Sequence, residues 1–343
     1  METNMYDHYV AIDWSIKNMA IARMTRKSNK ITIVDVPSDI AELKVYLKAL
    51  KGTIVMTIEE TTTAQWLYTE LKDVVDRIII CDPCRNRLLS EGPKTDKIDA
   101  EKLVQLLKAG LLKEVYHGAD QFLMLRRLVS GYEDLVQSGV RLKNQRYSLL
   151  RACGKSGKEK EGVAVKDPSA AYVLGTLDRQ IQSYEEEKMG YEVQFRKWAR
   201  ACPAIRHQAS LWGIGLINAI KVVSQVVCPS RFPNKGHYLS YAGLIRLEKI
   251  SGGRSYGQKS PRYSRALKSV YKTGALAAIE GDNPMRDYYD YLMEKKGYPE
   301  HQARHAVSRR LAILSWGVFK SGKPYKATRR ENVSDRQEVV TSL

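Results

Sequence analysis

The sequence predicts an α/β layer fold over about the first 115 residues, then a helical hairpin or coiled coil, then a mostly α-helical, strongly basic C-terminal region. Three observations carry this. Short apolar runs alternate with helix-periodic segments as far as residue 115. Between 121 and 200, apolar residues recur at the three- and four-residue spacing of a coiled-coil seam. In 201–343, 24 Lys and Arg stand against 10 Asp and Glu, a surplus of 14 out of the whole chain's 18.

That surplus, in 343 residues, exceeds what solubility requires and points to a polyanionic partner, nucleic acid or an anionic membrane surface. No apolar run is long enough to cross a bilayer, and Met1–His8 is polar, so neither a membrane span nor a signal peptide is expected. Nucleic acid is therefore favoured, and with it a cytoplasmic, nucleoid-associated location. The five cysteines are scattered. Cys81 and Cys84 form one C-D-P-C, but a zinc site needs about four ligands and no second pair lies nearby, so both read as strand-end residues.

In chain order, YVAIDW (Tyr9–Trp14), Met19–Met24 and Ile31–Val36 read as strands, the last two joined by a turn around Arg26–Asn29. Asp39–Leu50 has helical spacing and ends before Gly52. IVMTI (Ile54–Ile58) is a buried-type strand that delivers Glu59 and Glu60. Ala64–Val75 reads as a helix and Arg77–Cys81 as a strand. In Lys94–Leu107, KTDKIDAEKLVQLL, Asp96 and Asp99 stand three apart on one helix face, beside an apolar stripe. Taken alone, they are a cap and a first-turn acid. With Asp13 and Glu59 at strand ends, four oxygen donors can converge, a set suited to Mg²⁺ or Mn²⁺.

Leu128, Leu135, Leu142 and Leu149 repeat every seven. Leu174, Leu177, Ile181, Tyr184, Tyr191, Phe195 and Trp198 continue the spacing, broken only at Lys188. Two long helices follow, joined by the charged link Gly154–Pro168. They either fold back as a hairpin or pair between chains. Further on, Gly213 and Gly215 open an apolar helix. They either expose N–H groups to a phosphate or make a plain tight turn. From Arg246 to Lys272 there are eight basic residues and one acid, Glu248, with Tyr256, Tyr263 and Tyr271 interleaved. Ser251 precedes Gly252-Gly253, and on its own is a turn serine. His301–Lys320 reads as an amphipathic helix and 326–343 as a flexible tail.

These stretches together resemble the DEDD-type, Piv-like transposases of bacterial insertion sequences, typified by insertion sequence 110. YVAIDW carries Asp13, TIEETTTAQW carries Glu59, KTDKIDAEKL carries Asp96 and Asp99, and GIG, SYAGL and the SGG stretch follow in the family's order. The chain departs from the family at Thr62 and Ala64, where members carry Gly and Tyr, and in KSPRYSRALK, which lacks the glycine of their K-x-G-x-x-x-L-R run.

The resemblance implies a RuvC-like, ribonuclease-H-type domain over 1–115, a helical coiled-coil region over 116–200, and a transposase domain over 201–325. It implies that Asp13, Glu59, Asp96 and Asp99 hold Mg²⁺ (Mn²⁺ also fitting) and that Ser251 is the nucleophile. The partners it implies are donor and target DNA, a structured guide (bridge) RNA encoded beside the gene, and a second protomer in a homodimer or tetramer, with acids and serine meeting across protomers. Charge marks Arg246, Arg254, Lys259, Arg262 and Arg265 as backbone contacts. Two rivals stay open: a metal-only nuclease such as a Holliday-junction resolvase, and a non-catalytic nucleic-acid-binding protein.

Overall fold

The computed structural model describes residues 5–82, 95–115 and 120–326. Cys84, Lys94 and the expected tail beyond Lys326 lie outside them. The chain divides into two compact units, 1–120 and 121–343.

The first unit is a five-stranded sheet with helices on both faces. The strands are β1 (His8–Trp14), β2 (Asn18–Thr25), β3 (Ser28–Pro37), β4 (Ile54–Glu59) and β5 (Arg77–Cys81), in the order β3-β2-β1-β4-β5. The pairs β1–β2 and β2–β3 are antiparallel, whereas β1–β4 and β4–β5 are parallel. Side chains alternate between faces along each strand. Val10, Ile12, Met56 and Ile58 therefore point to one face, where they share a core with Leu43 and Leu47 of α1 (Ile40–Ala49) and Leu67 and Leu71 of α2 (Ala64–Leu71). Tyr9, Ala11 and Val55 point to the other, where α3 (Asp96–Lys108) buries Ala100, Leu103, Val104 and Leu107 against them.

α2 ends at Leu71, four residues before the expected end. The chain turns there, and the Asp76 carboxylate accepts from the backbone N–H of Ile54 at 2.7 Å, which ties the turn to the start of β4.

The second unit begins with two long antiparallel helices, α4 (Asp120–Ala152) and α5 (Pro168–Ala201). Tyr132 meets Tyr191 and Phe195 with ring centroids 5.9 and 5.1 Å apart. Gly139 leaves room for the Tyr184 ring, and Arg146 pairs with Asp178 at 2.5 Å. Within one chain the helices thus form a hairpin. The buried seam runs through Leu125, Val129, Tyr132 and Gly139, while the leucine heptad Leu128, Leu135, Leu142 and Leu149 flanks it, half-buried.

The start of α4 and the end of α5 share a core with the short helix α6 (Pro203–Gln208), α7 (Leu216–Val226), α8 (Lys235–Tyr241), α9 (Arg265–Ile279) and α11 (Glu300–Ser321). α10 (Pro284–Glu294) packs with α9 and α11. Between α8 and α9 stands a two-stranded hairpin, β6 (Leu247–Ser251) and β7 (Arg254–Lys259).

Two stretches singled out in the sequence take definite form here. Tyr271, one of the three tyrosines interleaved with the basic residues, is fully buried in α9. Its hydroxyl bonds to that of Tyr238 and, at 2.8 Å, to that of Ser315, which donates at 2.6 Å to the Gln208 side-chain oxygen. It cannot stack on a base.

The G-I-G turn serves packing. Gly213 has φ +72°, and a Cβ there would lie 1.9 Å from the Gly274 carbonyl oxygen of α9. Gly215, at φ −71°, has open space around the same position. Gly213→Ala is therefore expected to cost about 3 kcal/mol or more from overpacking and left-handed strain. That lowers Tm by roughly 6 to 12 °C in a unit of this size. Gly215→Ala should change it little, and paired thermal melts of the two variants check this.

Candidate active site

α3 is set on the sheet by both its ends. At its C-terminal end the Lys108 ammonium donates to the Thr25 and Ser28 carbonyls at 2.9 Å and to Asn29 Oδ1 at 3.0 Å. Thr25 pairs with His8, so this anchor lies where β1 begins. A helix of 13 residues is about 20 Å long. A seven-residue strand is about 23 Å. The helix therefore spans the sheet and brings its N-terminus to where β1 ends. There the Thr95 hydroxyl caps it, accepting from the Ile98 N–H at 3.3 Å, and Asp96 and Asp99 occupy the first turn, where acids favour the helix dipole.

Asp13 and Glu59 are on the matching edge of the sheet. Ile12 pairs with Ile58, so Asp13 and Glu59 are one register step further along the parallel pair β1–β4. By alternation both fall on the α3 face. Glu60 has left the strand and is exposed, its N–H bonded to the Cys81 carbonyl at 3.0 Å.

The electrostatics agree with this placement. The half-buried Asp13 carboxyl is raised from 3.8 to about 6, first by desolvation and then by the negative charges of Asp96, Glu59 and Asp99. The structure thus brings the four predicted acids within electrostatic reach of one another. Among the described residues, no group of three or more His, Cys, Asp or Glu is drawn close enough to ligate an ion.

Ser251 ends β6 and pairs with Arg254 across Gly252 and Gly253, whose φ values of +55° and +76° make the two-residue hairpin loop that the strand twist favours. Every residue of both strands is exposed. Among the described residues the Ser251 hydroxyl makes no hydrogen bond.

Of the predicted cations, Arg254 and Lys259 lie on β7, Arg246 leads into β6, and Arg262 and Arg265 are exposed between β7 and the first residue of α9. Sequence reasoning missed the hairpin itself. It counted Lys272 in the basic run but missed that cations of α11, Arg309 among them, join it near the hairpin's base. Gly-Gly between alternating residues was the available signal for the hairpin.

Comparison with known proteins defines the class. A model of DEDD transposases of the IS110 type, described as "Transposase", matches residues 10–154, and the model "Transposase IS116/IS110/IS902 family" matches residues 206–290. Together these cover about two thirds of the chain, which belongs to the IS110 family of transposases.

Individual relatives are more distant. The chain is 26% identical over 160 residues to the pilin gene-inverting protein of Moraxella bovis, covering 45% of this chain and 50% of that protein, with the same figures for that of Moraxella lacunata. It is 23% identical over 167 residues to an uncharacterized 44.8 kDa protein of insertion element IS116 from Streptomyces clavuligerus, covering 48% of this chain and 42% of that one. The chain spans about half the length of the curated relatives it matches. No helix among the described residues is long and apolar enough to cross a membrane.

Proposed function

We propose that this protein is a DNA transposase or recombinase in which a RuvC-like acidic site supports cutting and rejoining of DNA by Ser251. The observation that carries the reading is the convergence at the ends of β1 and β4. Asp13 is half-buried among three like charges and raised to about 6, a cost that a cation between the carboxylates offsets. The donor set is oxygen only, which suits Mg²⁺ or Mn²⁺. The sheet order, with acids at adjoining strand ends and on a crossing helix, supports the ribonuclease-H-type assignment. Family membership and relatives named for pilin gene inversion supply the substrate class, DNA.

Asp13, Glu59, Asp96 and Asp99 would hold the ion, which when bound stabilises negative charge developing on phosphoryl oxygens. The Ser251 oxygen would form a bond to phosphorus as the bond to the leaving deoxyribose oxygen breaks. The serine proton passes to solvent, and a phosphoserine ester keeps the bond energy for rejoining when a second strand's hydroxyl displaces the serine. The exposed hairpin, with Arg246, Arg254, Lys259, Arg262 and Arg265 on and around it, suits backbone contact. It supports a reading in which base pairing to a structured guide RNA chooses the site. A homodimer or tetramer in the cytoplasm completes this reading.

Plasmid recombination with purified protein and its flanking RNA tests it. Cutting and joining are expected with Mg²⁺ or Mn²⁺ and are lost in excess chelator. Ends that stay open with free 5′-phosphates would instead favour a hydrolytic nuclease.

A further inference from the structure

Beside the base of the β6–β7 hairpin, between α9 and α11, lies a cleft of about 970 Å³. Cations enter it from three elements: Arg246 before β6, Lys268 and Lys272 on α9, and Arg304 and Arg309 on α11. Arg304 is paired with Glu300, but no Asp or Glu is among the described residues that line the cleft. Its wall also carries Tyr298 and Leu276, 42% and 41% exposed. His305 hydrogen-bonds the Leu244 backbone. Burial, then the Arg309 guanidinium, holds its imidazole below the ordinary range.

We propose that this cleft binds unpaired nucleotides of the nucleic-acid substrate, with phosphates on Arg246, Lys268, Lys272 and Arg309 and a base against Tyr298 and Leu276. The site rests on the nucleic-acid reading above but not on Ser251 chemistry. Charge spacing favours a strand over a single small anion. Lys268 and Lys272 are one helical turn apart on α9, about 6 Å, and Arg246 and Arg309 line the same cleft from other elements, so cations recur around it. Size favours an unpaired strand over a duplex. A volume of about 970 Å³ equals a cube about 10 Å on edge, narrower than the ~12 Å major groove alone. An open aromatic ring beside cations is the arrangement by which single strands are held irrespective of sequence. From the cleft the hairpin runs about 14 Å outward to Ser251, roughly four nucleotides of stacked strand.

Fluorescence anisotropy of the full-length protein with a short labelled single-stranded DNA and its duplex, over a series of salt concentrations, tests the site. Unlabelled RNA and DNA serve as competitors. Lys272→Ala combined with Arg309→Ala should weaken single-strand binding about tenfold or more and reduce the salt slope by about 1.4, two phosphates' worth. Tyr298→Ala should weaken it roughly 5- to 100-fold with the slope kept. Duplex binding should change less in each.

Competition by both polymers, or by one, assigns the strand's source and agrees with the site. Variants that bind single strands as the wild type does overturn it, as does equal loss on duplex and single strand. Lys272→Gln, exposed on α9, serves if the double variant melts early. Variants that lose strand binding, beside a wild type that binds strands yet neither cuts nor joins DNA, would keep the cleft and defeat the recombinase reading.

Discussion

Asp13→Asn is expected to make the protein more stable and inactive. Asp13 holds its proton up to about pH 6 in the folded state, against 3.8 for the unconstrained group. Between those values the folded chain binds the proton more tightly than the unfolded chain. Stability is therefore lost as pH rises through this window, and the full cost is present above it. A shift of two units corresponds to about 3 kcal/mol. The carboxyl is only half-buried, so solvent screening reduces this to about 1–2 kcal/mol.

Asparagine removes that cost. The variant should be more stable than wild type by about this amount at pH 7, with the gain vanishing near pH 4. Strand cutting should fall by at least about 10²–10³-fold. Mg²⁺ or Mn²⁺ should raise the wild-type Tm by mass action and leave that of Asp13→Asn unmoved. Denaturant melts at pH 4 and 7, with and without the ion, check all of this. A destabilised variant at pH 7, or equal metal response in both proteins, would remove the acids from the proposed role.

Ser251→Ala is expected to abolish rejoining while leaving the fold and nucleic-acid binding intact. Ser251 is exposed, its hydroxyl bonds to nothing among the described residues, and its hairpin geometry is set by Gly252 and Gly253. The substitution removes one oxygen from an open position, so stability should stay within about 0.5 kcal/mol of wild type. The loss should be complete because Ser251 is the proposed reacting atom; Ser255, which pairs with Ile250 on the neighbouring strand, is the control, and Ser255→Ala should keep rejoining. Asp13→Asn acts through charge and Ser251→Ala through the reacting atom. Comparing their effects on DNA binding, stability and rejoining therefore separates the two halves of the mechanism.

The sequence announced the first unit well because its central strands β1, β2 and β4 are buried on both faces. IVMTI is apolar but for Thr57, whose buried hydroxyl donates to the Ile79 carbonyl at 2.9 Å, because α1 and α2 cover one side and α3 the other. Glu59 stands out because it ends that run. The end of α2 was overrun because Val74 and Val75 continue the apolar period while lying in the turn that Asp76 ties to β4.

The second unit was harder to read. The hairpin β6–β7 buries neither face, so alternation carried no signal and only Gly252-Gly253 marked it. Tyr271 was grouped with Tyr256 and Tyr263 because basic neighbours masked the helical period of Leu267, Val270, Tyr271 and Gly274. The leucine heptad was legible, but it flanks the seam that Tyr132 and Gly139 occupy. The cleft draws on residues 246, 268–272 and 298–309, which only the fold brings together.

The most direct measurement is a denaturing gel of labelled donor DNA incubated with purified protein, its flanking RNA and Mg²⁺. Serine-mediated recombination predicts a covalent protein–DNA adduct in the wild type that is absent from Ser251→Ala. Cut DNA without an adduct, equally present in Ser251→Ala, would contradict it and leave a hydrolytic nuclease.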